Sequence, residues 1–486
     1  MPFDYDVIVI GSGAGGGPVA FQLAEAGKKV AIIETGGFYT INDFNRFELA
    51  QIRKLWWKPR STSNYELGLE DEIALGMGRC VGGSTTIFTA IAARAPFWNF
   101  KEWFDASGVR NESGEPFSLE DLLPYYEQVE RDTNVRKYTE WDEGLKKIDS
   151  GFTKLGHPFE PVNAFVTPQC DKSGCLFGCP TEAKRGTLVS YIIPAIYFGA
   201  EIFYNSTVTR ILFSKEKRAE GVELIDESGV KRKFYSKIVI VASGAMNTPL
   251  LLLDSGIREL TNNSRSTRQI GKNFAVNTGA LVYGKFDDVL ENWLVHPLSG
   301  HMNDYYRKEK GGFLLEASSI LEGPLGFSEF IIDEDGVPLV GRKLKDTMLN
   351  YRHFAGIFIN IHDENNGEVF RDQETGLEKF YKPVSSTDKV KFSKAREISK
   401  QGMYAAGVKE TFDTSYLSHH VQGTCRMGED PSKSVVDSLC ESHDVKDLYI
   451  ADASLIPSVI DVNPSLTIMA LSRRLGNHLL ENVLIK

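Results

Sequence analysis

No apolar run in this 486-residue chain approaches the ~20 residues that a membrane-crossing helix requires. The longest, such as 237–242 and 249–253, are far shorter, so no bilayer-spanning helix is expected. Positive charge is in short supply as well. Against 65 Asp and Glu stand only 55 Lys and Arg, a net charge of −10, and no basic cluster breaks the pattern. Such a surface repels a phosphate backbone, which argues against a DNA or RNA partner. Cysteine is scarce too: six in this length do not make the disulfide framework of a secreted protein. Nor is a leader expected ahead of the first strand, because Asp4-Tyr5-Asp6 runs directly into Val7-Ile8-Val9-Ile10. A cytoplasmic location is expected, or a peripheral one at a membrane through a partner subunit. No repeat or low-complexity stretch is visible.

What is present begins at once. Residues 7–10 read as a buried strand, 11–17 as a turn, 18–26 as a helix closed by Gly27, and 30–33 as a second strand. Residues 38–75 are polar and aromatic with weak periodicity, as in a covering loop or lid. Residues 100–165 are charged and mostly helical. From 201 onward short strands alternate (201–204, 208–213, 221–225, 231–235 and 238–242), with a turn near Glu227-Ser228-Gly229. Residues 280–415 differ in character, with strands predicted at 356–361 and 367–371 and a helix at 388–405. The reading is an α/β protein: a Rossmann-like cofactor-binding domain (1–100, 185–275 and 415–486) with an inserted α+β substrate domain (276–414) built on a mainly antiparallel sheet. A helical connection with a cysteine segment spans 101–184.

Gly11-Ser12-Gly13-Ala14-Gly15-Gly16 matches the G-x-G-x-x-G pattern between a strand and a helix. Gly11 permits the tight turn, Gly13 lets backbone approach a pyrophosphate, and Gly16 lets helix and strand pack closely. Glu34 ends the second strand, where an acid accepts hydrogen bonds from an adenosine ribose. The pattern points to a bound dinucleotide but does not separate FAD from NAD.

Three further segments do. Gly76-Met77-Gly78-Arg79-Cys80-Val81-Gly82-Gly83-Ser84 runs on to Arg94; Gly244-Ala245-Met246-Asn247-Thr248-Pro249 continues to Ser255-Gly256. Near the end come His419-His420-Val421-Gln422-Gly423-Thr424-Cys425, the segment 448–454 and Asn463-Pro464-Ser465-Leu466-Thr467. With the glycine fingerprint, in this order, the chain resembles the glucose–methanol–choline (GMC) family of FAD oxidoreductases. The resemblance implies FAD extended across the first and last segments, oxidation of an alcohol, and hydride transfer to flavin N5. It implies that Gly82, Gly83 and Ser84 lie against the flavin, Val208 near the adenine, and Asp452 at the ribityl or pyrophosphate part. Pro464 would open a helix whose free N–H groups face the flavin's pyrimidine end. Where some members tether FAD through a histidine, this chain has Ile87, so a non-covalent cofactor is expected; Phe88 stands where many have asparagine.

By the same resemblance His420 is the catalytic histidine and Asn463 the second active-site position. A histidine, with a reference pKa near 6.5, suits removal of a hydroxyl proton at neutral pH; an amide is no base but orients the hydroxyl. His419 is read as structural or as a pocket wall. Cys170, Cys175 and Cys179-Pro180 could ligate a [3Fe–4S] cluster. That spacing resembles the catalytic subunits of bacterial sugar dehydrogenases, which implies a cytochrome or other acceptor protein and a small accessory subunit as partners. Cys175 to Pro180, with Lys184 and Gly186, equally resembles long-chain alcohol oxidases, for which no cluster is implied. Free buried thiols are the plain alternative. The expected substrate is a small-molecule alcohol, with a sugar or polyol ahead of a fatty alcohol.

Overall fold

The computed structural model describes residues 3–58, 60–62, 72–170, 174–291, 296–318, 323–333 and 336–485. Part of the 38–75 cover (59 and 63–71) and three residues of the cysteine segment (171–173) lie outside the described residues. In chain order, the elements that position the site are β1 (Tyr5–Ile10), α1 (Gly16–Glu25), β2 (Val30–Ile33), β3 (Lys231–Val241), β4 (Gly279–Lys285), β5 (Phe313–Ser318), β6 (Phe354–Ile361), β7 (Leu448–Ile450) and α2 (Ser465–His478).

The architecture is α/β. Strand Glu201–Phe203 pairs with β2, β2 with β1, β1 with β3 and β3 with β7, all in parallel. The apolar runs Val7 to Ile10 and Val30 to Ile33 do not alternate because both faces of this sheet are covered, and every one of those residues is buried. Helix α1 leaves the sheet at the fingerprint and ends at Gly27 (φ +76°), where the Lys28 N–H reaches back to Leu23 O and that of Gly27 to Ala24 O. Only glycine turns the chain there without cost. It packs against α2 from the far end of the chain, with Val19 N–H donating to Ser472 Oγ at 3.1 Å.

The strands expected at 231–235 and 238–242 are one. β3 runs unbroken for 11 residues, its first half antiparallel to Ala219–Ile225 and its second half parallel to β1 and β7. The polar Ser236-Lys237 step, which suggested a break, is absorbed because Ser236 pairs with Tyr5 and its hydroxyl donates to Ile238 O. The lid region is more ordered than expected, containing a helix, Glu48–Leu55, and strands Arg60–Thr62 and Ile73–Leu75.

Those two strands join a second, mainly antiparallel sheet in which β4 pairs with β6 and β6 with β5. Period-two alternation gives it two faces. Ala280, Val282, Leu315, Ile357 and Ile359 pack under the helices Glu143–Lys154 and Ser386–Ala405. Leu281, Leu314 and Phe358 point the other way and share the core of the parallel sheet. The functional cavity lies between this second face and the fingerprint.

Candidate active site

A cavity of about 1030 Å³ runs from the fingerprint to the paired His420 and Asn463. At its first end Gly11 (φ +106°) leaves β1 so close to β3 that an added Cβ would sit 2.3 Å from Ala242 O. Gly13 faces Gly83 with backbone against backbone; a Cβ on Gly83 would lie 2.8 Å from Gly13 Cα. Gly16 does not line the cavity. It serves packing, since a Cβ there would meet Gly11 O at 1.9 Å and Val9 Cγ1 at 3.1 Å. Gly15, to which the sequence reading gave no role, is the tightest of all: its Cβ would fall 1.4 Å from Ala451 O.

Glu34 stands at the end of β2 as predicted. One carboxylate oxygen accepts from Gly36 N–H at 2.8 Å, the other from Ser12 N–H at 3.2 Å and Ser12 Oγ at 2.7 Å. Burial pushes this carboxyl up, against the pull of those donors and of Arg79. Ser12 Oγ also accepts from Gly82 N–H at 3.0 Å, tying the fingerprint to the second glycine turn. Gly82 (φ +93°) is therefore a backbone support behind the wall, while Gly83 and Ser84 line it. Val208 lines the same end. Asp452, just past β7, is buried and lines the cavity; it accepts from Ser454 N–H at 2.8 Å, Gly244 N–H at 2.9 Å and Thr248 Oγ1 at 2.5 Å. Its carboxyl, too, is pushed up by burial.

Pro464 lines the cavity one residue ahead of the helical hydrogen-bonded span of α2, a shift within the ordinary ambiguity of helix starts. The unpaired N–H groups of the first turn open beside Asn463. Asn463 Nδ2 lies 3.4 Å from His420 Nε2. Their approach is fixed by residues the sequence did not flag. Gln422 Nε2 donates to His420 O at 3.1 Å and to Asn277 Oδ1 at 2.6 Å, while its Oε1 accepts from Ile460 N–H at 3.2 Å. Asn277 Nδ2 in turn donates to Ile460 O at 2.9 Å. Asp461 is clamped by Trp98 Nε1 at 2.6 Å and by Asn99. Both histidine rings present surface to the cavity yet are enclosed by protein on their other sides; desolvation pushes His420 down to about 3 and His419 to about 4. His419 packs edge-on against Trp56, with ring centroids 5.6 Å apart.

Apolar side chains share the cavity with the pair. Ile91, whose carbonyl accepts from Ser465 Oγ at 3.4 Å, lines it with Phe358 on β6, Phe88, Leu176 and Leu298. Leu176 carries the cysteine segment to the wall, its carbonyl accepting from Trp56 Nε1 at 3.1 Å. Cys175 is buried; Cys170 and Cys179 are half-buried. Lys184 fills the space among them: its ammonium donates to Thr86 O at 2.7 Å, Phe88 O at 3.3 Å and Cys175 O, and its N–H to Cys179 Sγ at 3.4 Å. The three cysteines form no metal-holding group among the described residues.

The residues present fit an extended dinucleotide: glycines leave room for backbone approach at the first end, and an acid closes the second strand. GMC oxidoreductase family models match residues 8–278 and 362–472. The chain is 25% identical to long-chain-alcohol oxidase FAO4B of Arabidopsis thaliana over 98% of this chain and 67% of that protein. It is 24% identical to FAO3 of the same organism, covering 96% and 66%. The chain thus spans about two thirds of the length of these relatives. Among solved structures it resembles pyridoxine 4-oxidase from Mesorbium loti, with a TM-score of 0.73, 17% identity and coverage of 98% and 99%.

Proposed function

Since the chain belongs to the GMC oxidoreductases, FAD-binding enzymes that oxidise alcohols or similar donors, we propose that it oxidises a hydrophobic alcohol at the His420–Asn463 pair. Gly11, Gly13, Glu34, Val208, Gly83, Ser84 and Asp452 would hold FAD without a covalent bond, Ile87 offering no nucleophile. Bound there, FAD supplies the acceptor for the hydride that leaves the carbinol carbon. His420 Nε2 takes the hydroxyl proton; burial keeps this imidazole neutral, and so able to accept, across the physiological range. Asn463, 3.4 Å away, hydrogen-bonds the same hydroxyl and fixes the carbon's approach.

The substrate class rests on one observation: Ile91, Phe88, Leu176, Leu298 and Phe358 line the same cavity as the pair. A sugar or polyol, the class expected from the sequence, would leave each hydroxyl that meets these side chains without a partner, at about 1–3 kcal/mol each. An alkyl or aryl alcohol gains from the same wall. The names of the plant relatives point in the same direction.

A second reading keeps the iron–sulfur cluster and a protein acceptor, because Leu176 brings the cysteine segment to the cavity wall. Against it, Cys170, Cys175 and Cys179 form no metal-holding group among the described residues. We favour packed thiols, with electrons passing from FAD directly to the acceptor. One experiment tests both. Purified anaerobically, the protein is mixed with graded 1-alkanols, benzylic alcohols and sugars, and iron and acid-labile sulfide are assayed on the same sample. Flavin bleaching by alkanols without iron is expected. Bleaching by sugars alone, or stoichiometric iron, would overturn the corresponding part.

A further inference from the structure

One ionisable side chain beside Asn463 has no part in the chemistry so far. Glu316 lies on β5 directly opposite Phe358 of β6, with Leu314 opposite Asn360 two positions along. Glu316, Phe358 and Asn360 therefore share the face that looks into the cavity region. The carboxyl is 1% exposed. Asn360 Nδ2 donates to it, and the Asn463 amide is its second hydrogen-bond partner. No charged group acts on it among the described residues; what face it are those two amides, with His420 3.4 Å beyond the second.

The hydrogen-bond accounting is uneven. Asn360 Oδ1 and Asn463 Oδ1 are both buried and meet no donor among the described residues. An ionised Glu316 only accepts, so it leaves both amide oxygens unmet. A neutral Glu316 has an O–H to give, and its two amide neighbours carry these two oxygens. Burial without a cation pushes the carboxyl up to about 8, so the neutral form prevails at neutral pH.

We propose that Glu316 is a positioning residue whose proton sets which end of the Asn463 amide is turned toward His420. This rests on the roles assigned above to His420 and Asn463. With the proton in place, Glu316 O–H donates to Asn463 Oδ1, and Asn463 Nδ2–H faces His420 and the oxygen of the substrate hydroxyl. When the proton is lost to solvent, the carboxylate draws the amide N–H to itself. Oδ1 then swings toward the site and competes with His420 Nε2 for the hydroxyl proton. The active arrangement is the protonated one.

The test uses the FAD-loaded protein and its Glu316→Gln variant, in which an amide N–H stands permanently where the acid proton was. Infrared difference spectra across pH 8 should show a neutral-carboxyl C=O band that disappears in the unmodified protein and is missing from the variant. Flavin reduction by a saturating alcohol, followed anaerobically, should fall roughly tenfold per pH unit above the limb in the unmodified protein. The variant should lack that limb. A band or a limb that survives Glu316→Gln overturns the proposal. Should that variant not fold, Asn360→Ser keeps Glu316 and removes one donor; band and limb must then move together, and separate movement or none overturns the idea. If no alcohol reduces the flavin, the functional reading fails on its own. Glu316 is then judged by Asn463→Ala, which removes both the acceptor of the acid and the donor to the carboxylate and should shift the pH at which the band titrates; an unmoved titration sinks the coupling.

Discussion

At the scale of the residue, the proposed division of labour makes His420 and Asn463 unequal. Removing a general base costs roughly a hundred- to ten-thousand-fold in rate. His420→Ala should therefore slow flavin reduction by that order while FAD stays bound, because its ring holds only the far end of the cavity. Asn463→Ala should cost less, about tenfold to a hundredfold, since it removes orientation and not the base. Stopped-flow reduction at saturating alcohol separates them; equal losses would point to a shared structural cause. His420 and Asn463 were legible because each sits in a run of recognisable neighbours. Gln422, Asn277 and Glu316 were not. Gln422 and Asn277 are 145 positions apart, and each makes sense only beside the other.

At the scale of the element, the glycine turns were legible because their spacing is dictated by backbone geometry, which leaves a mark in one-dimensional sequence. What the spacing could not tell is which glycine does what. Gly82 supports and Gly83 faces the cavity, although they are neighbours in one motif. Gly83→Ala puts a Cβ at a φ of +53° and 2.8 Å from Gly13 Cα. We expect a loss of about 1–3 kcal/mol, read as a lower melting temperature and faster release of FAD. Unchanged FAD release would mean that the two turns do not grip the cofactor together. The union of two predicted strands in β3 has the same lesson. The polar step at Ser236-Lys237 reads as a break until Tyr5 is placed opposite it.

At the scale of the whole molecule, buried acids and buried histidines pull stability in opposite directions with pH. His296 and His420 are pushed to about 3, so an unfolded chain binds protons below 6.5 that the fold refuses, and stability falls on acidification through that range. Above 6.5 these histidines are neutral in both states and drop out. The buried acids then act: between its ordinary 4.5 and about 8 Glu316 keeps in the fold a proton that the unfolded chain has lost, and Glu34 and Asp452 are pushed the same way, so stability declines as pH rises through that range. Thermal unfolding along a pH series should show that decline, and Glu316→Gln should lessen it. A decline that Glu316→Gln leaves unchanged would mean that Glu316 is ionised in the fold.

The bare contact of Gly15 with Ala451 has a consequence in time. Two residues more than four hundred positions apart close one end of the cavity, and β7, which delivers Ala451, is made long after the fingerprint. A nascent chain still short of that strand carries the fingerprint but no finished cradle. Cofactor capture must thus wait until that later strand has been made. Until then the open edge of β3 awaits its last neighbour, which makes the unfinished chain a client for chaperones and the cofactor a final clasp.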